Sequence, residues 1–237
     1  MILKLKVAIF DIDDTLFDFT GCHAIAIQHV AEYVEKTFGI PADELKEGYK
    51  AELKRQLLEY PEIVNCHSRT VRFLRIAERD SRLPIGVATE LSDMYWHTLI
   101  ANAVPYPGLV ELIDCLKAKG IKIGICTDMT VDWQIKKLVK LGLADKLDFV
   151  VSSEEASVEK PGRKIFEVCL EKAGGCSPSE AIMFGDNYKK DIVGAVGIGM
   201  HAVWNNPNSR VEEKPLPDVI EISSYEGIEN VFQIEKA

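Results

Sequence analysis

The sequence contains no apolar run long enough to cross a lipid bilayer. Its longest stretch without a charged residue, Ile192 to Ser209, is interrupted by glycines, asparagines and a proline, whereas a membrane-spanning helix needs about 20 predominantly apolar residues. The N-terminal run from Met1 to Phe10 is shorter, carries lysines and lacks the small-residue cleavage site of a secretion signal. We therefore expect neither a membrane span nor a membrane partner.

The six cysteines form no CxxC pair and show no zinc-ligand spacing. Because no secretion signal precedes them, we expect reduced thiols, which are typical of a cytoplasmic protein. They are Cys22, Cys66, Cys115, Cys126, Cys169 and Cys176.

Motifs of several common site classes are missing as well. The five histidines are scattered and include no HExxH pair, which argues against a histidine metal site or a Ser-His-Asp triad. There is no GxxxxGKS or GxxxxGKT motif, and Gly197 with Gly199 lacks the third glycine of a dinucleotide fingerprint. Basic residues are in the minority, 28 against 37 acidic ones for a formal net charge of -9, so nucleic acid is not an expected partner.

The residues that are present are typical of a folded α/β protein. The chain has 237 residues, 47% hydrophobic and 27% charged, enough for one large domain or a core with a modest insert. Short apolar runs alternate with helical periodicity, which predicts a three-layer, doubly wound parallel sheet with a Rossmann-like core. The strand-like runs are Leu5 to Phe10, Ile121 to Cys126, Leu147 to Val151, Ala181 to Phe184 and His201 to Trp204.

A long section between the first strand and Pro105 has almost no strand signal. A crossover within one sheet needs only about a dozen residues, so we interpret this section as an inserted α-helical cap. The predicted organisation is a core of residues 1–16 and 106–237 and a cap of residues 17–105. Helical periodicity in the cap appears in His23 to Phe38, Pro41 to Leu58, Arg69 to Arg79 and Ala88 to Ala101.

Three carboxylates, Asp11, Asp13 and Asp14, directly follow the first predicted strand. Like charges repel, and the end of a buried strand is a costly place for them unless a cation compensates. Mg²⁺ is the natural candidate, because it takes carboxylates, carbonyl oxygens and waters and is commonly completed by a substrate phosphate. The alternative is a solvated acidic turn or a set of N-caps for the next helix.

Polar residues also follow later predicted strands, at the edge where open α/β sheets bind ligands. Thr127 offers a hydroxyl and a backbone amide to phosphate oxygens, with a turn or cap role as the alternative. Lys160 can neutralise both a carboxylate and a phosphoryl group, with a solvated surface lysine as the alternative. Gly185 permits a sharp exit from its strand, so that Asp186 is predicted to face the same crevice as Asp11.

In order and spacing these residues resemble the four motifs of the haloacid dehalogenase superfamily. The matching segments are DIDDT at residues 11–15, Thr127, Lys160 with Pro161, and GDNYKKD at residues 185–191. The resemblance covers both flanking core segments, whereas the insert resembles the family's α-helical cap in position and helicity. The sequence is therefore similar to a phosphatase of this family.

The resemblance implies a catalytic pair and a metal site. Asp11 would be the nucleophile that forms an aspartyl-phosphate, and Asp13 the general acid and base. Mg²⁺ would be bound by the side chains of Asp11 and Asp186 and by the backbone carbonyl of Asp13. Asn187 and Asp191 would support the metal site, and Asp191 is also placed to orient Lys160.

The resemblance further implies a phosphate-binding set. Thr127 and Lys160 would bind the phosphoryl group, and we group Asp128 with them. The sequence departs from the family pattern at Asp128, where relatives often carry Asn.

Together these expectations describe a cytoplasmic, Mg²⁺-dependent phosphatase that acts on a small-molecule phosphate monoester. Asp13 favours phosphate esters over dehalogenation, because halide leaves without needing a proton. One alternative is a sugar-phosphate mutase of the same family. Another, from a different class, is a phospho-acceptor signalling or binding module without turnover, although receiver domains are shorter and lack the insert.

Selectivity for the leaving group is expected to come from the cap. Phe19 lies close enough to the first motif to face the substrate, with packing as the alternative. His67 and Arg69 belong to the segment leading into the third cap helix, and the guanidinium of Arg69 would suit a carboxylate or a second phosphate. The alternative is a solvated basic face, which by helical spacing would be shared by Arg72, Arg75 and Arg79.

Overall fold

The computed structural model describes residues 2–61, 64–210, 216–228 and 233–237, and the chain folds into two compact units. An α/β unit comprises Met1–Asp18 and Val104–Ala237, and a helical unit comprises Phe19–Ala103.

Strands and helices alternate along the α/β unit. In chain order, the α-helices of the described residues are α1 (Phe19–Phe38), α2 (Ala42–Glu59), α3 (Arg69–Arg79), α4 (Val87–Asn102), α5 (Leu109–Ala118), α6 (Val131–Lys140), α7 (Ser153–Ala156), α8 (Arg163–Lys172) and α9 (Val193–Gly197). The strands are β1 (Ile2–Leu5), β2 (Val7–Phe10), β3 (Lys122–Thr127), β4 (Phe149–Ser152), β5 (Ala181–Gly185), β6 (His201–Asn205), β7 (Ile220–Ile222) and β8 (Gln233–Lys236).

A six-stranded parallel sheet in the order β4-β3-β2-β5-β6-β7 forms the centre of the α/β unit. β2 lies between β3 and β5, with Val7 opposite Lys122 on one side and Ala181 on the other. Helix α8 packs Phe166 against a buried cluster that includes Val7 and Met183. The prediction of a doubly wound, parallel α/β core is confirmed.

The first predicted strand was wrong in one respect, because Leu5 to Phe10 is not continuous. Strand β1 pairs with β8 in a separate two-stranded sheet, and only β2 joins the main sheet. The break falls at Lys6, whose backbone N–H donates to the Glu180 carbonyl at 2.8 Å and whose carbonyl accepts from Lys122 at 2.9 Å. Its ammonium also pairs with Glu180 at 2.8 Å, which fixes the change of direction.

The strand order brings chemically active loops to one edge of the sheet. From β2 the chain proceeds to β3 and β4 on one side, whereas β5, β6 and β7 add on the other. Such a reversal opens a crevice at the carboxyl ends of the central strands. The residues that follow β2, β3 and β5 therefore lie side by side.

The helical unit consists of α1 to α4 around an aromatic core. Helix α4 packs against both α1 and α3, and its buried Tyr95 lies near Tyr49 of α2. The helices expected from periodicity are present, and α3 has the predicted bounds, Arg69–Arg79. Across the described residues of both units, none of the helices combines the length and the apolarity that a membrane crossing requires.

Candidate active site

The loop after β2 turns sharply and is held from two sides. The backbone N–H of Asp11 still pairs with β5, donating to the Phe184 carbonyl at 2.9 Å. Asp14 adopts φ 58°, in the left-handed region that Asp tolerates better than most residues. Asn205 donates to the Asp14 carbonyl at 3.2 Å, and the Tyr225 hydroxyl donates to the Thr15 carbonyl at 3.0 Å. The backbone of the turn that carries Asp11 and Asp13 is therefore held in one conformation.

The ammonium of Lys160 lies at the centre of the site. Its Nζ is 2.5 Å from Asp11 Oδ1 and 2.6 Å from Asp191 Oδ1, and it donates to the Cys126 carbonyl at 3.1 Å. The side chain is almost completely buried. Burial alone would lower the pKa of Lys160, but the Asp11 and Asp191 carboxylates raise it well above the usual value.

Asp11, Asp186 and Asp191 form a compact carboxylate cluster, with oxygens within 4.8 Å of one another. Burial raises the pKa of Asp11 well above its usual value, Lys160 opposes the rise, and the neighbouring carboxylates add to it. Burial, together with Asp191 and Asp14, raises the pKa of Asp186 to about 7. The cluster is therefore short of positive charge.

The absence of a side chain at Gly185 allows Asp191 to reach the cluster. A Cβ atom at Gly185 would lie 2.4 Å from the side chain of Asp191. Asp191 itself lies in a π-helical turn, Tyr188–Ile192, and its Oδ2 accepts from the backbone N–H of Asn187 at 3.0 Å. The amide side chain of Asn187 accepts from the Lys190 N–H at 3.1 Å, so Asn187 supports the turn that presents Asp191.

Asp186 is anchored through its main chain. Its carbonyl accepts from Trp204 Nε1 at 2.9 Å and from the Arg210 guanidinium at 3.0 Å. Arg210 also lies 3.4 Å from the Asp186 carboxylate. These contacts hold the carboxylate at the edge of the cluster.

The hydroxyl of Thr127 is set by a buried glutamine. Gln134 of α6 donates to Thr127 Oγ1 at 2.6 Å and to the Asp128 carbonyl at 3.0 Å. Because Thr127 accepts from Gln134, its own proton is left to donate. In the structure Thr127 Oγ1 donates to the Asp128 carbonyl oxygen at 3.2 Å, and a phosphate oxygen is a stronger acceptor.

Asp128 fastens the loop that carries Lys160. Its Oδ1 accepts from the Lys160 backbone N–H at 3.0 Å, and its Oδ2 lies 2.7 Å from Lys190 Nζ. Lys190 also pairs with Glu159 at 2.9 Å. An acid beside a phosphate site, unexpected from the sequence, is thus already compensated by two donors.

Asp13 is paired with a lysine that the sequence did not single out. Nζ of Lys137 on α6 lies 2.7 Å from Asp13 Oδ1 and 2.9 Å from Oδ2. The Lys137 side chain is 0% exposed and that of Asp13 is 23% exposed. The ammonium therefore approaches from the protein interior.

In the helical unit, the three candidate selectivity residues are close together. The buried Arg69 guanidinium lies 5.9 Å from the centre of the Phe19 ring and 4.8 Å from that of Trp96. It also donates to the His67 carbonyl at 2.7 Å. Nearby, burial and the charges of Arg69 and Arg72 lower the pKa of His23 to about 4.

The expectation of a solvated basic face was wrong for Arg72. This side chain is buried and donates to Gln56 Oε1 at 3.1 Å, the Tyr49 hydroxyl at 2.7 Å and the Cys66 carbonyl at 3.1 Å. Arg75 is more exposed and pairs with Glu59 at 2.7 Å. Helical spacing alone does not show which arginine turns toward the helices packed against α3.

The structure thus brings Asp11, Lys160, Asp186 and Asp191 into direct contact or mutual reach. Thr127, Asp128 and Asp13 belong to the same site, and each is held by a side-chain donor. Sequence reasoning missed three of these donors, which are Gln134, Lys137 and Lys190.

The donor set suits a magnesium ion. The buried Asp11 and Asp191 and the half-buried Asp186 offer hard oxygen ligands. Burial and the neighbouring carboxylates raise the pKa values of Asp11 and Asp186. A divalent cation would supply positive charge and return both groups to their ionised form.

Comparison with known proteins gives consistent matches. The chain matches the family model for haloacid dehalogenase-like hydrolases over residues 8–205. It is 29% identical to the pyrimidine 5'-nucleotidase YjjG of Escherichia coli over 235 residues, 97% of this chain and 99% of the relative. A glyceraldehyde 3-phosphate phosphatase of Methanothermobacter thermautotrophicus is 32% identical over 207 residues, 85% of this chain and 86% of the relative.

Solved structures agree with this assignment. A HAD phosphatase from Thermococcus onnurineus superimposes with a TM-score of 0.74 at 28% identity, covering 96% of this chain and 97% of that chain. The family match includes the carboxyl ends of β2 and β5, which the residues of the carboxylate cluster follow. The chain therefore belongs to the haloacid dehalogenase-like hydrolases.

Proposed function

We propose that this protein hydrolyses a small-molecule phosphate monoester with the help of Mg²⁺ and through an aspartyl-phosphate on Asp11. Phosphomonoester hydrolysis is its activity class, since the matching relatives within the family are phosphatases. We propose the metal and the covalent intermediate in addition to this activity class.

The observation that carries the proposal is the position of Asp11. It is a buried carboxylate at the end of the central strand, in contact with a buried ammonium and beside two further carboxylates. Lys160 can bind Asp11 and a phosphoryl oxygen together, which brings two anions to reacting distance. Thr127, held by Gln134, adds a hydroxyl donor.

In the first step, an oxygen of Asp11 attacks the phosphorus atom. The bond from phosphorus to the ester oxygen breaks, and its electron pair stays on the leaving oxygen, which takes a proton from Asp13. In the second step, water attacks the phosphorus of the aspartyl-phosphate and gives a proton to Asp13. The bond to Asp11 then breaks and inorganic phosphate leaves, so that one difficult displacement becomes two easier ones.

Asp11 and Asp186 would hold Mg²⁺ through their side chains, together with the backbone carbonyl of Asp13. Asp191 would hold Lys160 in position beside the metal ligands, because it pairs with Lys160 and accepts from the backbone N–H of Asn187. When bound, the ion supplies positive charge that stabilises the negative charge of the transferring phosphoryl group.

The helical unit is proposed to select the leaving group. Arg69 lies among aromatic rings with Phe19 and the His67 carbonyl nearby, an environment suited to an anionic or hydroxylated substrate. The nucleotidase and the glyceraldehyde 3-phosphate phosphatase are named for esters of that kind. We propose the same broad substrate class for this chain.

Asp11→Asn should abolish the reaction, because the amide is a poor nucleophile. We expect release of inorganic phosphate from an aryl phosphate in the presence of Mg²⁺ to fall by at least about 1,000-fold. Asp14→Asn is the matched control, since it removes a nearby negative charge at a left-handed position that Asn also tolerates, and it should keep most of the activity. Unchanged turnover in Asp11→Asn would rule out the proposed nucleophile.

Asp186 should make the metal-free protein less stable as the pH rises. Its folded pKa is about 7, above its ordinary value of 3.8, so its favourable contribution is complete below about pH 4 and is lost as the pH passes through 7. Between pH 5 and 8 the wild type should lose roughly 2 kcal/mol of unfolding free energy relative to Asp186→Asn.

Urea unfolding with EDTA and with Mg²⁺ measures this effect. Mg²⁺ should restore wild-type stability at pH 8 and give Asp186→Asn little gain. Replacement of the exposed Asp145 by Asn is the control and should follow the wild type. Equal Mg²⁺ stabilisation of wild type and Asp186→Asn would contradict the assigned ligand.

Arg69→Ala should affect only substrates that use the helical unit. For a phosphate ester that carries a second anionic group, KM should rise by about 10-fold to 100-fold, as expected for loss of a charge-assisted hydrogen bond. Hydrolysis of a small aryl phosphate should change little. Arg75→Ala on the same helix is the control, because Arg75 pairs with Glu59. If both esters are affected equally, Arg69 has a structural role instead.

A further inference from the structure

Lys137 is a buried lysine that extends from α6 to the proposed general acid and base. Its ammonium contacts both oxygens of Asp13, at 2.7 and 2.9 Å. On the same face of α6, three residues earlier, Gln134 holds the hydroxyl of Thr127. One face of α6 therefore contacts two proposed active-site groups, Thr127 and Asp13.

The burial of Lys137 is not explained by packing alone. A buried ammonium loses its hydration, and that loss is offset only where an anion and good hydrogen-bond geometry replace the water. An apolar side chain of similar length would fill the space without that loss. Because the anion is Asp13, the structure links the ion pair to the chemistry of that carboxylate.

The exposure of the two side chains shows how the carboxylate is oriented. Lys137 is 0% exposed, whereas Asp13 is 23% exposed. A carboxylate has about four lone-pair positions, so two contacts from the ammonium leave one position free on each oxygen. Since the Lys137 side chain is 0% exposed, the exposed part of the Asp13 side chain is not the part that the ammonium covers.

We propose that Lys137 is a positioning residue that fixes the Asp13 carboxylate for proton transfer to the leaving oxygen. This inference rests on the proposed function, because it assigns Asp13 the proton-transfer role. Lys137 keeps its own protons throughout. When the bond from phosphorus to the ester oxygen breaks, the proton moves from Asp13 to that oxygen, and Asp13 is left as the carboxylate that Lys137 binds.

The test is the dependence of the reaction on the leaving group. The leaving group of an aryl phosphate is a stabilised phenolate, which needs little protonation. The alkoxide leaving group of an alkyl phosphate needs a proton in the transition state. The ratio kcat/KM covers the steps through departure of the alcohol, so it isolates this step. In Lys137→Met, kcat/KM for the alkyl ester should fall by about 100-fold and that for the aryl ester by less than about 5-fold.

Lys136→Met is the matched control, because Lys136 lies next to Lys137 on α6 but is exposed and pairs with Asp132 at 2.8 Å. It should leave both ratios unchanged. Thermal unfolding of each variant shows whether it folds. If Lys137→Met does not fold, Lys137→Gln replaces it. Its amide keeps a hydrogen-bond donor that Met lacks, so the loss should be smaller and should again fall mainly on the alkyl ester.

Asp11→Asn, assayed in parallel, separates the two proposals. Loss of both activities in Asp11→Asn, with a selective loss in a folded Lys137 variant, supports the positioning role. Equal losses on both esters, or no loss on either, would overturn that role while the nucleophile stands. Retained activity in Asp11→Asn would instead overturn the proposed function.

Discussion

The organisation of the site depends on the buried ammonium of Lys160, which lies among several carboxylates. Lys160 contacts Asp11 and Asp191, and Asp186 lies within reach of both acids. Burial, together with the Asp191 and Asp14 carboxylates, raises the pKa of Asp186 to about 7, although the charges of Arg210 and Lys160 oppose the rise. A divalent cation bound to these carboxylates would stabilise their ionised forms.

The fold produces this concentration of charge through strand order. Because β2 lies between β3 and β5, the loops after these strands meet at one edge. Gly185 has no side chain, and this leaves room for Asp191. A Cβ atom at Gly185 would lie only 2.4 Å from the Asp191 side chain. Asp128 fixes the Lys160 backbone from the β3 side. Each local feature therefore serves to hold Lys160 and the carboxylates in one arrangement.

Much of this could be predicted from sequence, because strand-end residues follow directly from apolar runs and the geometry of parallel sheets. The neighbouring positions of Asp11 and Asp186 are of that kind. Lys137 is different, because Lys136, Lys137 and Lys140 look equivalent in the sequence. Only the packing of α6 shows that Lys137 is the buried one. Arg72 was misjudged for the same reason, because burial on a helix depends on its tertiary neighbours.

If the phosphoryl group is transferred to Asp11 during the reaction, rapid quenching should trap the covalent intermediate. The protein would be mixed with a radiolabelled phosphate ester and Mg²⁺, quenched with acid within milliseconds, digested and analysed by mass spectrometry. We expect phosphate to appear transiently on the peptide that contains Asp11, and to be absent when EDTA replaces Mg²⁺. Release of phosphate with no labelled peptide at any time, or label on a different residue, would contradict this expectation.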